Sequence, residues 1–285
     1  MEPVIHHSGG IAMIIYRVLM PLMIMLISPL LVHAEEGRCI SGNCQNGWGI
    51  VTTSDGSRFE GNFQKGLPSG KGKLSWANGD SYEGDFRNGN MTGKGTMNYA
   101  SGDIYEGDFV NGEMTGEGHQ TQVNGDNYEG SFVNGVRSGK GTLTWANGDV
   151  YEGDFVNGEM TGTGTLTLAN GDKYEGDFVN GVRTGRGTMY WSDGDRYEGD
   201  FMDDKRTGRG TLYYANGDKY EGDFVDDIRT GKGVYYYANG NKYVGDFVNG
   251  ERTGFGKFIY ANGDYYEGEF KNGLFNEKGI FIRVQ

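Results

Sequence analysis

Glu175 and Asp177 stand two residues apart in the segment YEGDFVN at 174–180. Two carboxylates at that spacing share one face of an extended strand and can divide general acid–base work between them. The same seven residues stand at 151–157, and versions of the pair recur in nearly every part of the chain. Catalysis needs one unusual environment that moves a pKa, whereas a copied residue has a copied environment. The pair therefore reads as a solvated strand face, and the chain as noncatalytic. Other chemistry-bearing residues are few. Beyond residue 34 there is one histidine, His119, and there are two cysteines, Cys39 and Cys44. His119 is too isolated to complete a zinc set. Repeated Asn-Gly-Asp offers oxygen ligands to calcium, but no D-x-D-x-D-G loop occurs and turn chemistry already explains these residues. Neither a metal nor a cofactor is expected.

Charge narrows the class of ligand. The chain holds 26 Lys and Arg against 39 Asp and Glu, a net charge of −13. That disfavours nucleic acid as a partner and nonspecific binding to an anionic membrane. The cations are unevenly spread. Arg137, Arg183, Arg206, Arg229 and Arg252 recur at one position, followed three residues later by Lys140, Arg186, Arg209 and Lys232. Earlier in the chain the first of these positions holds Met91, Met114 or Met160. Placed on a long turn, the two columns predict one basic edge for an acidic polymer or phospholipid headgroups. The competing reading is that the arginines only balance nearby Asp and Glu.

These residues are positioned by a repeat. An aromatic recurs every 23 residues without insertion, from Phe59 through Tyr82, Tyr105, Tyr128, Tyr151, Tyr174, Tyr197, Tyr220 and Tyr243 to Tyr266. Such a period signals stacked supersecondary units, each too small to close a core alone. The 53 glycines keep phase with 19 Tyr and 15 Phe, which argues against disorder. Alternation gives the unit. Tyr174, Gly176 and Phe178 share one strand face, and Glu175, Asp177 and Val179 the other. Gly185, Gly187, Met189 and Trp191 share a face of the next segment. Period two predicts strands, so each unit is a β-hairpin.

The turns fix the register. A two-residue Asn170-Gly171 turn would mix apolar and polar faces, so it is rejected. A three-residue loop, Ala169-Asn170-Gly171 with Gly171 left-handed, keeps the apolar columns together; a five-residue loop does so too. The opposite turn, N-G-x-x-T-G, reads as longer. Rings laid over bare glycine backbone explain the aligned glycines. Strands at ~4.8 Å make ten units roughly 95 Å long. The fold class is all-β: an elongated single-layer antiparallel β-hairpin array over 59–285.

The pattern Y-E-G-D-F-V-N-G-x-x-T-G-x-G-T at this period resembles the MORN repeat family (membrane occupation and recognition nexus). Residues 42–58, with Gly47, Gly49 and Gly56 in phase, are similar to a truncated leading unit. The resemblance implies a single-layer hairpin stack used as a scaffold, often dimeric, with phospholipids among its proposed ligands. Some relatives carry the repeats ahead of a phosphoinositide kinase domain; no residues remain here for one, so that activity is not carried over. A single-layer sheet leaves its aromatic face uncovered, which predicts a protein interaction surface or homodimer interface along Tyr151, Phe155, Tyr174, Phe178, Trp191, Tyr197, Phe201, Tyr220 and Phe224. One unit breaks the aromatic and apolar columns with Gln120 and Gln122. The strand Ile280-Phe281-Ile282-Arg283 ends the array, with an edge able to pair with a second copy.

Residues 1–34 differ in kind. Arg17, the apolar run at 18–32 and Val32-His33-Ala34 read as a secretory signal peptide cut after Ala34, with translation starting at Met1 or Met13. The alternative is an uncleaved membrane anchor, which the shortness of the run and Pro21 and Pro29 oppose. Export to a periplasm, envelope or extracellular space would permit a disulfide between Cys39 and Cys44 within an N-terminal cap at 35–58.

Overall fold

The structure, a computed structural model, describes residues 37–276 and 278–284. The leader with its cleavage site therefore lies outside the described residues. Twenty-three strands among the described residues form one sheet, without helix. From Gly37–Gly42 to Tyr265–Lys271, each strand pairs antiparallel with its neighbours in sequence. At the end, Tyr265–Lys271 pairs with both Leu274–Phe275 and Ile280–Ile282. Cys39 and Cys44 form a disulfide where the first two strands meet.

One hairpin shows the geometry of all. Strands Glu159–Thr167 and Lys173–Val179 pair with Leu166 opposite Tyr174. The Leu168 N–H donates to the Asp172 carbonyl at 2.8 Å, leaving Ala169, Asn170 and Gly171 as the loop. Gly171 has φ +92°, the left-handed value that a three-residue hairpin loop requires. Asn170 Oδ1 accepts the Asp172 N–H at 3.0 Å, and Asp172 Oδ1 accepts the Ser192 N–H of the next loop at 2.8 Å. Asn-Gly-Asp is thus a loop that holds its successor.

The opposite turn is shorter than its sequence suggests. Val179 pairs with Val182, so Asn180 and Gly181 alone make the turn, both left-handed at φ 49° and 80°. This is the primed two-residue geometry that Asn-Gly favours. The remaining residues belong to a bulge. Gly176 faces Gly187 while Asp177 faces Thr184, so Gly185 and Arg186 are extra on one strand. Asp177 Oδ2 accepts the Arg186 N–H across the bulge at 3.2 Å.

The core runs along the inner face. The Tyr174 ring lies over Gly176 and Gly187, where a Cβ on Gly187 would stand 2.5 Å from Cε2 of the ring. Phe178 of the same strand and Phe201 of the next unit pack edge-on against it, with centroids 5.2 and 5.0 Å away. The Tyr174 hydroxyl donates to the Asp177 carbonyl at 3.2 Å, with the Thr184 carbonyl 3.4 Å away. Edge-on pairs of this kind repeat from Phe59 to Phe270. Each unit thus completes the burial of the one before it, as a repeat array requires.

Candidate functional site: the outer face of the sheet

The buried rings correct one expectation. Tyr151, Phe155, Tyr174, Phe178, Tyr197, Phe201, Tyr220 and Phe224 are buried, none more than 4% exposed. They are the core, not an open interaction face, because each ring is covered by a phenylalanine from the following unit. Trp191, half-buried at the flank of that core, lies under the Arg206 guanidinium at 5.3 Å.

The cation columns are divided by the same geometry. Arg183 pairs in register with Phe178 and so stands on the inner face. Its guanidinium lies 5.5 Å from the Tyr174 ring centre and donates to Asp204 Oδ1 at 2.9 Å and to the Asp204 carbonyl at 3.0 Å. Arg206 holds Asp227 in the same way, and Arg229 and Arg252 donate to the carbonyls of Gly250 and Gly273. Each of these four arginines therefore caps the two-residue turn of the next unit. Asp204 and Asp227 occupy left-handed positions (φ 67° and 69°) that Gly fills in the other units, and the guanidinium holds them there. Arg137 instead donates to Gln120 Oε1 from Nε at 3.2 Å and Nη2 at 2.9 Å. The glutamine that breaks the apolar column is that arginine's partner.

Lys140, Arg186, Arg209 and Lys232 point the other way, from the bulge into solvent, and each meets an aspartate on the neighbouring strand. Lys140–Asp154 is 2.8 Å, Arg186–Asp200 3.3 Å, Arg209–Asp223 3.7 Å and Lys232–Asp246 2.6 Å. The structure therefore builds no continuous basic edge. Alternation holds the reason: positions 183 and 186 differ by an odd number and must face opposite ways.

The repeated carboxylates divide as well. Aspartates such as Asp177 reach across the bulge, while glutamates such as Glu175 form an outer column with lysine or arginine two residues before them. Lys173–Glu175 is 2.6 Å, Arg196–Glu198 2.7 Å and Lys219–Glu221 2.6 Å. The hydrogen bond from Lys219 holds the Glu221 carboxyl below the usual range, the opposite of what a general acid needs. Among the described residues no group of three or more His, Cys, Asp or Glu is placed to hold a metal. The outer face also carries a row of aliphatics at the turn end. Val110, Val133, Val156, Val179, Met202, Val225 and Val248 are all 53–59% exposed.

The period, the hairpin and the glycine-backed ring agree with a family description. The MORN repeat pattern matches ten consecutive stretches, from 59–81 and 82–104 through 220–242, 243–265 and 266–284. The chain belongs to the MORN repeat family. Its MORN units follow one another without a gap, as the continuous sheet requires. No curated protein sequence is significantly similar to this MORN array. Solved structures similar to it include a single-residue variant of the TCP10 domain of Danio rerio CPAP (12% identity, 78% of this chain and 97% of that chain, TM-score 0.41). The wild-type domain is similar at 14% identity, 82% and 97% coverage and TM-score 0.36. The Drosophila melanogaster SAS-4 (dCPAP) TCP domain, in complex with a proline-rich motif of Ana2, has 15% identity, 67% and 85% coverage and TM-score 0.25.

Proposed function

We propose that this protein is an exported, noncatalytic scaffold whose outer sheet face holds other proteins or envelope components. The observation that carries the reading is the row from Val110 to Val248, seven exposed aliphatic side chains beside charges that already neutralise one another. Regularly exposed apolar side chains mark contact surfaces, and self-paired charges leave little net field to attract an anionic membrane. Export rests on residues 1–34. Fused to a reporter active only outside the cytoplasm, they are expected to confer activity; an inactive fusion would remove export from the proposal. Self-association is part of the same reading. Phe281, in the column that elsewhere buries Met189, is 50% exposed on the last strand, whose open edge is where a second copy would add.

The second reading is peripheral binding to anionic phospholipid. The two readings separate in one experiment. Charging the row with Val156→Asp and Val179→Asp is expected to release cross-linked envelope proteins while leaving the melting temperature unchanged. Vesicles of phosphatidylserine and phosphatidylcholine are expected to leave the wild-type chain in the supernatant at physiological salt. Sedimentation with those vesicles, lost on replacing Lys140, Arg186, Arg209 and Lys232 by glutamate, would select the lipid reading instead.

A further inference from the structure

A surface copied ten times holds a partner at no particular place; a defined site needs a break in the pattern. One such break on the outer face lies where the eighth and ninth units meet. The glutamate column beginning at Glu60 and Glu83 is glutamate in every unit except the ninth, which has Val244. Directly opposite, Val234 replaces the Thr, Lys or His found earlier in its column. One strand further on, Phe255 stands in the bulge column that elsewhere holds Lys, Arg, Glu or Thr. Val244 is 38% and Phe255 61% exposed, and with Val234 they line a shallow hollow of about 410 Å³ floored by glycine backbone.

The break also leaves a lysine without a carboxylate two residues on, so that it shares Glu221 with Lys219. Lys173, Arg196 and Lys219 each pair with the glutamate two residues on. Lys242 occupies their position, but the residue two places on is Val244. Lys242 rests against the Tyr236 ring, 5.0 Å from its centre. Arg209, Glu221, Lys232, Lys257 and Glu267 line the hollow. With their partners and the flanking Lys242, the cations are Arg209, Lys219, Lys232, Lys242 and Lys257; the carboxylates are Glu221, Asp223, Asp246 and Glu267, each paired with one of the other four cations. Five cations against four leave a local excess of one positive charge on a chain of net −13.

Resting on the scaffold reading, we infer that this hollow is a docking site for an extended protein segment carrying a carboxylate and, two residues away, an apolar side chain. Residues i and i+2 of a strand lie about 7 Å apart on one face. That is the separation of Lys242 from Val244, so the incoming acid meets the Lys242 ammonium while the apolar group covers Val234, Val244 and Phe255. In the three preceding units a glutamate of the chain itself takes the lysine or arginine, and the apolar floor is missing.

The test restores the repeat. The triple variant V234T/V244E/F255K gives the two units residues that their neighbours carry, so it is expected to fold and melt as wild type. The probe is a displayed library of short random peptides, selected against the full-length chain. Enrichment of Asp or Glu two positions from Leu, Ile or Phe is expected, with binding about tenfold weaker or more to the variant. Amide shifts in nuclear magnetic resonance spectra are expected to cluster at 232–257. Absence of that enrichment, or equal binding by the variant, would overturn the site. In the equal-binding case the array would still hold peptides elsewhere, so the scaffold reading would survive the loss of this one.

Discussion

Gly187→Ala is expected to destabilise the array by roughly 3 kcal/mol or more, among the largest effects a single methyl group can have. The backbone at Gly187 is not left-handed, so the penalty comes from contact rather than from conformation. The new Cβ would overlap the Tyr174 ring, which cannot withdraw because Phe178 and Phe201 hold its edges. Urea denaturation would measure the loss, and hydrogen exchange would locate it in the sixth and seventh units. Gly171→Ala provides the contrast. Only its φ of +92° opposes a side chain, since the nearest atom to a Cβ there is 3.4 Å away, and a loss of about 1 kcal/mol is expected. In a Tyr174→Ala background, itself expected to lose about 3–5 kcal/mol, the Gly187→Ala effect should largely vanish. Additive losses would contradict the contact between ring and glycine.

Alkali is expected to unfold the protein cooperatively above pH 10. Burial pushes the phenols of Tyr105, Tyr128, Tyr151, Tyr174, Tyr197 and Tyr243 up to about 12, and those of Tyr82 and Tyr220 further. A phenol whose pKa is raised by folding stays protonated where the unfolded chain has lost its proton. Stability is therefore fully present below pH 10 and is lost as pH climbs from 10 towards 12. Each such group contributes up to ~1.4 kcal/mol per pH unit in that window, and eight copies act together. Tyrosinate absorbance from the core should then rise together with loss of the β-sheet circular dichroism signal. Core tyrosines that titrate near pH 10 while the sheet stays intact would show that the rings are open to solvent.

Much of this architecture is legible in the sequence. The unbroken spacing from Phe59 to Tyr266 gave the units, and alternation from Tyr174 to Phe178 gave the strand and its buried face. Rejecting a register that mixed faces left loops of three or five residues, and the Leu168–Asp172 hydrogen bond decides for the three-residue loop Ala169–Gly171. The opposite turn was misread because Gly185 and Arg186 add two residues, and a bulge of two leaves the alternation undisturbed. Treating 180–185 as loop then placed Arg183 and Arg186 on one edge. Parity, carried back from Gly187 through Gly185, would have put Arg183 inward. The aromatic face was read as open because its cover comes from side chains of the following unit, which a single strand pattern does not contain. The outer-face break at Val244 was present in the sequence as one departure in a column of ten. A period is defined by the residues that recur, so a single exception leaves the period unchanged.

The central claim is that each unit buries its predecessor's ring, so that copying alone extends the sheet. Excising residues 151–173 joins Val150 to Tyr174 in unchanged register and leaves every remaining ring a following phenylalanine. Small-angle scattering should then report a folded particle about 10 Å shorter, two strands fewer, with β-sheet circular dichroism per residue unchanged. Collapse of the shortened chain to an unfolded or aggregated state, or a particle whose length does not change, would contradict the account.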